Sequence, residues 1–133
     1  MGEETFEEWL KAFEEICKKS GGRYEPYRCK IDIEGVKLTL DEIELLPVRN
    51  IMWTRVYLPL TPTYELSSKG YEVFRSKVSA YGLKYEEPER IGGTIRAGVY
   101  SEIRSVEDVH QTFDKLVGTL REIGREWKAL FGE

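Results

Sequence analysis

Residues 85–100 read YEEPERIGGTIRAGVY, and the fold depends on whether the glycines at the centre precede a helix or a strand. A strand, a glycine loop and a helix N-terminus would cradle a phosphate, because converging backbone amides and the helix dipole favour an anion there. The residues that follow argue otherwise. Ile95, Ala97, Val99, Ser101 and Ile103 alternate with Thr94, Arg96, Gly98, Tyr100 and Glu102, which is the period of a strand with one buried face. No Lys-Ser or Lys-Thr pair follows the glycines. The stretch is therefore read as a short strand from Leu83 to Glu87, a connection from Pro88 to Gly93, and a second strand. Gly98, inside that strand, predicts a bulge or a close approach to the backbone.

The neighbouring segments fit the same picture. A helix is predicted from Tyr64 or Ser68 to Tyr81, burying Leu66, Val73, Phe74 and Val78 and stopping at Gly82, with Gly70 weakening its first half. Upstream, Ile51-Met52-Trp53-Thr54-Arg55-Val56-Tyr57-Leu58 is β-branched and aromatic, with large side chains on both faces. It reads as a central strand ended by Pro59 and Pro62. Pro47-Val48-Arg49-Asn50 breaks it from an earlier apolar run that begins at Ile43. Tyr27, Cys29, Ile31 and Ile33 alternate with charged residues, Glu34-Gly35 turns the chain, and Val36, Leu38 and Leu40 alternate again, which predicts a hairpin.

Helices close both ends. Phe6, Trp9, Leu10, Phe13, Ile16 and Cys17 share one face of a helix over residues 5–19, with Thr5 and Glu8 as a capping box and Gly21-Gly22 as its stop. Ser105 and Asp108 cap a longer one, in which Val106, Val109, Phe113, Leu116, Val117, Leu120, Ile123, Trp127, Leu130 and Phe131 recur at helical spacing. Unbroken, that helix is about 39 Å long, more than a domain of this size covers comfortably. Leu120, Ile123, Trp127, Leu130 and Phe131 are accordingly predicted to meet a second copy. The expectation is one α+β domain over residues 1–133: an antiparallel sheet of about five strands with helices packed on it, in the order α-β-β-β-α-β-β-α.

Composition narrows the function. The chain has 133 residues and a formal net charge of −4, against the broad basic surface that charge-driven nucleic-acid or membrane binding needs. No apolar run is long enough to span a bilayer, and the start is acidic where a signal peptide is basic, so a cytoplasmic protein is expected. Among the 44 charged residues only four are Asp, and the chain has one Asn (Asn50) and one Gln (Gln111). That bias is associated with thermophilic proteins.

Cys17 and Cys29 lack CxxC spacing, and His110 is the only histidine. No metal set or cofactor is expected, and the two cysteines are read as reduced, buried thiols. Asp41, Glu42 and Glu44, or Glu86, Glu87 and Glu89, offer paired carboxylates for acid–base work. With so many glutamates such clusters arise by chance, and these are read as solvated turn residues. Cys17 falls on a buried face and His110 beside an apolar stripe, so no catalytic constellation emerges and no enzymatic activity is expected.

The best binding candidate is the strand face carrying Trp53, Arg55 and Tyr57, joined by Arg96 and Tyr100. Interleaved aromatics and arginines combine flat apolar area with forked donors, suited to anchoring a peptide or stacking on bases. The competing reading puts Trp53 and Tyr57 in the core beneath a helix.

The order of elements from Phe6 to Phe131 resembles that of type III secretion chaperones and the related YbjN-like proteins. That resemblance implies a small acidic homodimer that binds extended segments of partner proteins along apolar patches. It rests on element order, so it transfers no functional residue.

The leading expectation is thus a non-enzymatic, chaperone-like or adaptor module that binds another polypeptide and forms a homodimer through its sheet and C-terminal helix. The alternative is a nucleic-acid-binding module using Arg49, Trp53, Arg55 and Arg96. It draws on a likeness of LSSKGYEVFRSKVSAYGLKYEE and the following glycine turn to the helix and wing of winged-helix proteins. A small-molecule pocket between sheet and helices is a third reading.

Overall fold

A computed structural model describes residues 6–31, 39–58, 64–91 and 94–131. The chain begins with α1 (Phe6–Lys19), whose apolar spacing buries Trp9, Ala12, Phe13, Ile16 and Cys17. Its C-terminus is closed by the Ser20 and Gly22 amides, which donate to the Ile16 and Cys17 carbonyls at 3.0 and 2.9 Å. Gly21 supplies the left-handed φ of 85° that this cap requires. Thr5, its expected cap at the other end, lies outside the described residues.

Two strands too short to stand out by periodicity come next, β1 (Arg23–Glu25) and β2 (Arg28–Lys30). Pro26 and Tyr27 join them, with Glu25 paired to Arg28 and Tyr27 at φ 70°. Tyr27 is therefore a turn residue, not the start of a strand. β3 (Thr39–Leu46) pairs antiparallel with β2, Cys29 opposite Ile43. The expected turn at Glu34-Gly35 lies outside the described residues. A 3-10 turn at Pro47–Arg49 and Asn50 at φ 56° reverse the chain into β4 (Ile51–Leu58).

α2 (Tyr64–Ala80) leads to β5 (Lys84–Ile91) and β6 (Thr94–Glu102), and α3 (Val106–Phe131) completes the chain. Gly92 and Gly93 lie outside the described residues, but Ile91 pairs with Thr94 and the element that follows is a strand. Among the described residues no helix N-terminus adjoins the glycines to hold a phosphate. β5 runs past Pro88, where the sequence suggested an end, because it is an edge strand and its register shifts between Glu86 and Glu89.

The six strands form one antiparallel sheet in the order β1-β2-β3-β4-β6-β5, one strand more than expected in an otherwise matching α+β order. α1 packs on β1 and β2, α3 on β4 and β6, and α2 on β5, while α3 touches both other helices. The helices thus make a single layer on one face. Core side chains fill the space between, with Phe13 edge-on to Phe113 at 6.1 Å and Phe74 edge-on to Tyr85 at 5.6 Å. Thr54 is buried there and donates its hydroxyl to the Glu42 carbonyl at 2.9 Å, so its polarity is satisfied.

Two expectations need correction. Cys17 and Cys29 are buried, but they are joined in a disulfide across α1 and β2, with Cα atoms 5.7 Å apart. Their spacing of 12 residues matches no motif, and only the fold brings them together. Leu120 and Ile123, expected at a dimer interface, are 1% and 0% exposed in the chain's own core. α3 runs its 26 residues unbroken, with Tyr81 against it at Gly118, where an added Cβ would lie 3.0 Å from the ring. The helix layer covers α3 farther out than a length estimate implies. The side chains of Trp127, Leu130 and Phe131 lie outside the described residues.

Replacing Cys17 and Cys29 together by alanine removes a cross-link closing a short loop. The double variant is expected to unfold with about 3 kcal/mol less stability in urea under non-reducing conditions. Equal stability of the two proteins would contradict this.

Candidate functional site

Alternation along β4 decides which side chains reach which face. Met52, Thr54 and Val56 point into the helix-covered core, and Ile51, Trp53 and Arg55 are half-buried on the opposite face. Neighbouring strands extend this second face through their register. Trp53 is opposite Glu44 on β3 and Tyr100 on β6, and Tyr100 is opposite Lys84 on β5. One step along, Arg55 pairs with Gly98 and Gly98 with Glu86. Beyond it Tyr57 pairs with Arg96, and Arg96 with Glu89. Among the described residues no helix covers this surface.

Trp53 and Arg55 form its central ridge. The Arg55 guanidinium lies 5.0 Å from the centroid of the Trp53 ring, a cation–π contact that holds both side chains in place. The Trp53 indole Nε1 is enclosed and finds no acceptor among the described residues. On the β6 side, a shallow groove of about 230 Å³ is lined by Leu46, Arg49, Ile51, Trp53, Glu86 and Tyr100. It meets a more polar one of about 150 Å³, lined by Trp53, Arg55, Glu86, Glu87, Glu89, Arg96 and Ala97. On the β3 side, Glu42 and Glu44 flank the ridge.

Gly98 forms the floor between ridge and edge strand. A Cβ built on it would lie 3.2 Å from Glu86 Oε2 and 3.3 Å from Glu86 Cδ, so the Glu86 side chain lies across the bare backbone. The close approach expected at Gly98 is therefore a carboxylate from β5, and the register shift belongs to β5 rather than β6.

The face brings together Trp53, Arg55, Arg96 and Tyr100 as the sequence suggested, with the Tyr57 backbone in register beside them. The Tyr57 side chain lies outside the described residues. Among the described residues no helix lies over Trp53. Sequence reasoning set aside the glutamates as turn residues, but Glu42 and Glu44 lie in β3 and Glu86, Glu87 and Glu89 in β5. Glu42 and Glu44 carried a period-2 signal, alternating with Ile43 and Leu45, whereas the run Glu86-Glu87-Pro88-Glu89 carried none. His110 sits half-buried on α3, in the layer behind the sheet. Among the described residues no group of three or more His, Cys, Asp or Glu could hold a metal ion, and no helix is long and apolar enough to cross a membrane.

Charge on the face is mixed. The grooves are lined by five carboxylates, from Glu42, Glu44, Glu86, Glu87 and Glu89, and by three guanidiniums, from Arg49, Arg55 and Arg96. Glu87 is held by Arg75 of α2 at 2.9 Å. At the margin, Lys84 and Arg104 each lie 3.1 Å from an oxygen of Glu102. The hydrogen bond from Lys84, then that from Arg104, holds the Glu102 carboxyl below its usual range. A depressed folded-state pKa contributes stability above the unfolded value, and that contribution is lost as pH falls through the folded one. In an NMR acid titration Glu102 is expected to protonate at lower pH than an unpaired glutamate, and Lys84→Ala to move its midpoint upward. An unmoved midpoint would remove Lys84 as the cause.

No protein-family model matches the chain, and no curated protein matches it. Among solved structures, it is similar to the crystal structure of an uncharacterized protein from Methanothermobacter thermautotrophicus. The identity is 11% and the TM-score 0.44, over 90% of this chain and 99% of that one.

Proposed function

We propose that the chain is a non-enzymatic polypeptide-binding module, chaperone-like or adaptor in character, that holds a segment of another protein on the face of its sheet opposite the helix layer. The observation that carries this reading is the Trp53–Arg55 ridge with the groove beside it. An aromatic anchor of fixed geometry gives a partner side chain a flat apolar surface at little entropic cost. Leu46, Ile51 and Tyr100 extend that surface at one end, and the charged residues at the other match the mixed polarity of a peptide. Glu102, Lys84 and the glutamates of β3 form a polar rim of the kind found around transient interfaces.

Two features favour a polypeptide over nucleic acid. Five carboxylates among three guanidiniums would repel a phosphate backbone. The helix-and-wing likeness also loses its free wing, because β6 is paired along its length with β4. Self-association is one way to cover the face, but its support from α3 is reduced to residues beyond Ile123. The glutamate-rich composition fits a thermophilic source, and the disulfide fits either an oxidising compartment or the interior of a hyperthermophile.

Panning a library of displayed peptides on the wild-type protein tests the reading. Selected peptides are expected to bind Trp53→Ala about tenfold or more weakly, as truncation of an interface anchor does, while the variant keeps its fold by circular dichroism. Peptides that bind both proteins equally, or salt-sensitive binding of oligonucleotides with no peptide selected, would overturn it. A mass in solution of two chains, with Trp53→Ala returning it to one, would assign the face to a second copy.

A further inference from the structure

The two cysteine sulfurs are enclosed, and the turn that ends α1 folds back over them. Cys17 and Cys29 are each 0% exposed. Gly22 donates its amide to the Cys17 carbonyl at 2.9 Å. A Cβ built on Gly22 would stand 2.6 Å from Cys29 Sγ and 2.9 Å from Cys17 Sγ. Any side chain there has to push a sulfur aside, so the bare backbone of Gly22 acts as a close-fitting roof. Cys29 pairs with Ile43 of β3, itself 1% exposed, which closes the side toward the sheet.

Thiol–disulfide exchange begins when a thiolate attacks one sulfur and the other leaves. With both sulfurs covered, that line of attack is blocked unless the α1 cap or the β1–β2 hairpin moves away. We infer that the Cys17–Cys29 bond is a shielded cross-link, reduced only through an opened form of this corner and therefore retained in solutions that reduce exposed disulfides. It then serves as a permanent tie between α1 and the outer strands, not as a sensor in rapid exchange with external thiols.

The reaction itself is ordinary. A dithiol such as dithiothreitol attacks one Sγ, the sulfur–sulfur bond breaks, and the other cysteine departs as a thiolate that takes up a proton. The second thiol of the reductant then displaces the mixed disulfide. The protein gains two electrons and two protons as two cysteine thiols, and the reductant leaves as its cyclic disulfide. Only access is gated.

The experiment follows reduction of the full chain by dithiothreitol, with timed alkylation and mass spectrometry, in native buffer and in unfolding guanidinium. The native protein is expected to lose its disulfide at least ~30-fold more slowly than the unfolded one, because the reactive form is a minor opened state. Gly22→Ala is expected to be reduced faster than wild type in native buffer. A native-to-unfolded difference smaller than ~30-fold would overturn the inference, as would two free thiols in the aerobically purified, unfolded protein. Should Gly22→Ala fail to fold, the wild-type comparison decides alone.

Discussion

The antiparallel ladder that runs from Ile51 opposite Glu102 to Leu58 opposite Ile95 fixes both halves of this molecule. Side chains alternate strictly along a strand, so a shift of one residue would send Met52, Thr54 and Val56 to solvent and drive Trp53 and Arg55 under the helices. The apolar set on one face and the charged set on the other exclude that slip. With the ladder in this register, Ala97 and Val99 join Met52 and Val56 beneath α3, and Arg96, Gly98 and Tyr100 fall beside Trp53 and Arg55. Core and candidate surface are two consequences of one pairing.

The sheet's edges explain why the proposed docking surface is the face rather than a strand edge. β5 carries Pro88 and a run of charged residues, with an irregular register between Glu86 and Glu89. These features discourage a further strand from adding to an edge. The other edge, β1, is only three residues long and is tied to the core by Tyr24, whose ring packs edge-on to Phe13 at 6.1 Å. Burial, reinforced by the Glu14 charge, pushes the Tyr24 hydroxyl up from its ordinary pKa, as expected for a phenol drawn partly out of water. The broad face between these edges presents the half-buried rings of Trp53 and Tyr100 together with charged groups from three strands.

Much of this was legible in the sequence wherever one period persisted. α1, β4, α2 and α3 follow from runs of apolar residues long enough to show their spacing, and the strand from Thr94 was readable because its residues alternate. What escaped lacks a local signature. β1 is too short for a period, and its turn places Tyr27, where glycine would announce itself, in a left-handed conformation. The Cys17–Cys29 bond depends on α1 being returned to β2 by the Gly21-Gly22 cap. The five groove glutamates were discounted because charge alone suggests a turn, although they occupy strands. The outer residues of α3 were given to a partner from helix length, whereas Leu120 and Ile123 are covered within the chain. At the candidate site, Trp53, Arg55, Arg96 and Tyr100 were picked out by residue type, and the register supplied what type cannot, the face they share.

Hydroxyl-radical footprinting of the free protein, read residue by residue from dilute to concentrated solution, tests the central claim most directly. The account predicts that Trp53, Tyr100, Ile51 and Leu46 are oxidised readily and equally at all concentrations, while Phe13, Phe74 and Phe113 stay protected. Trp53 as protected as those core rings in dilute solution would contradict it, because the face proposed to receive a partner would already be closed.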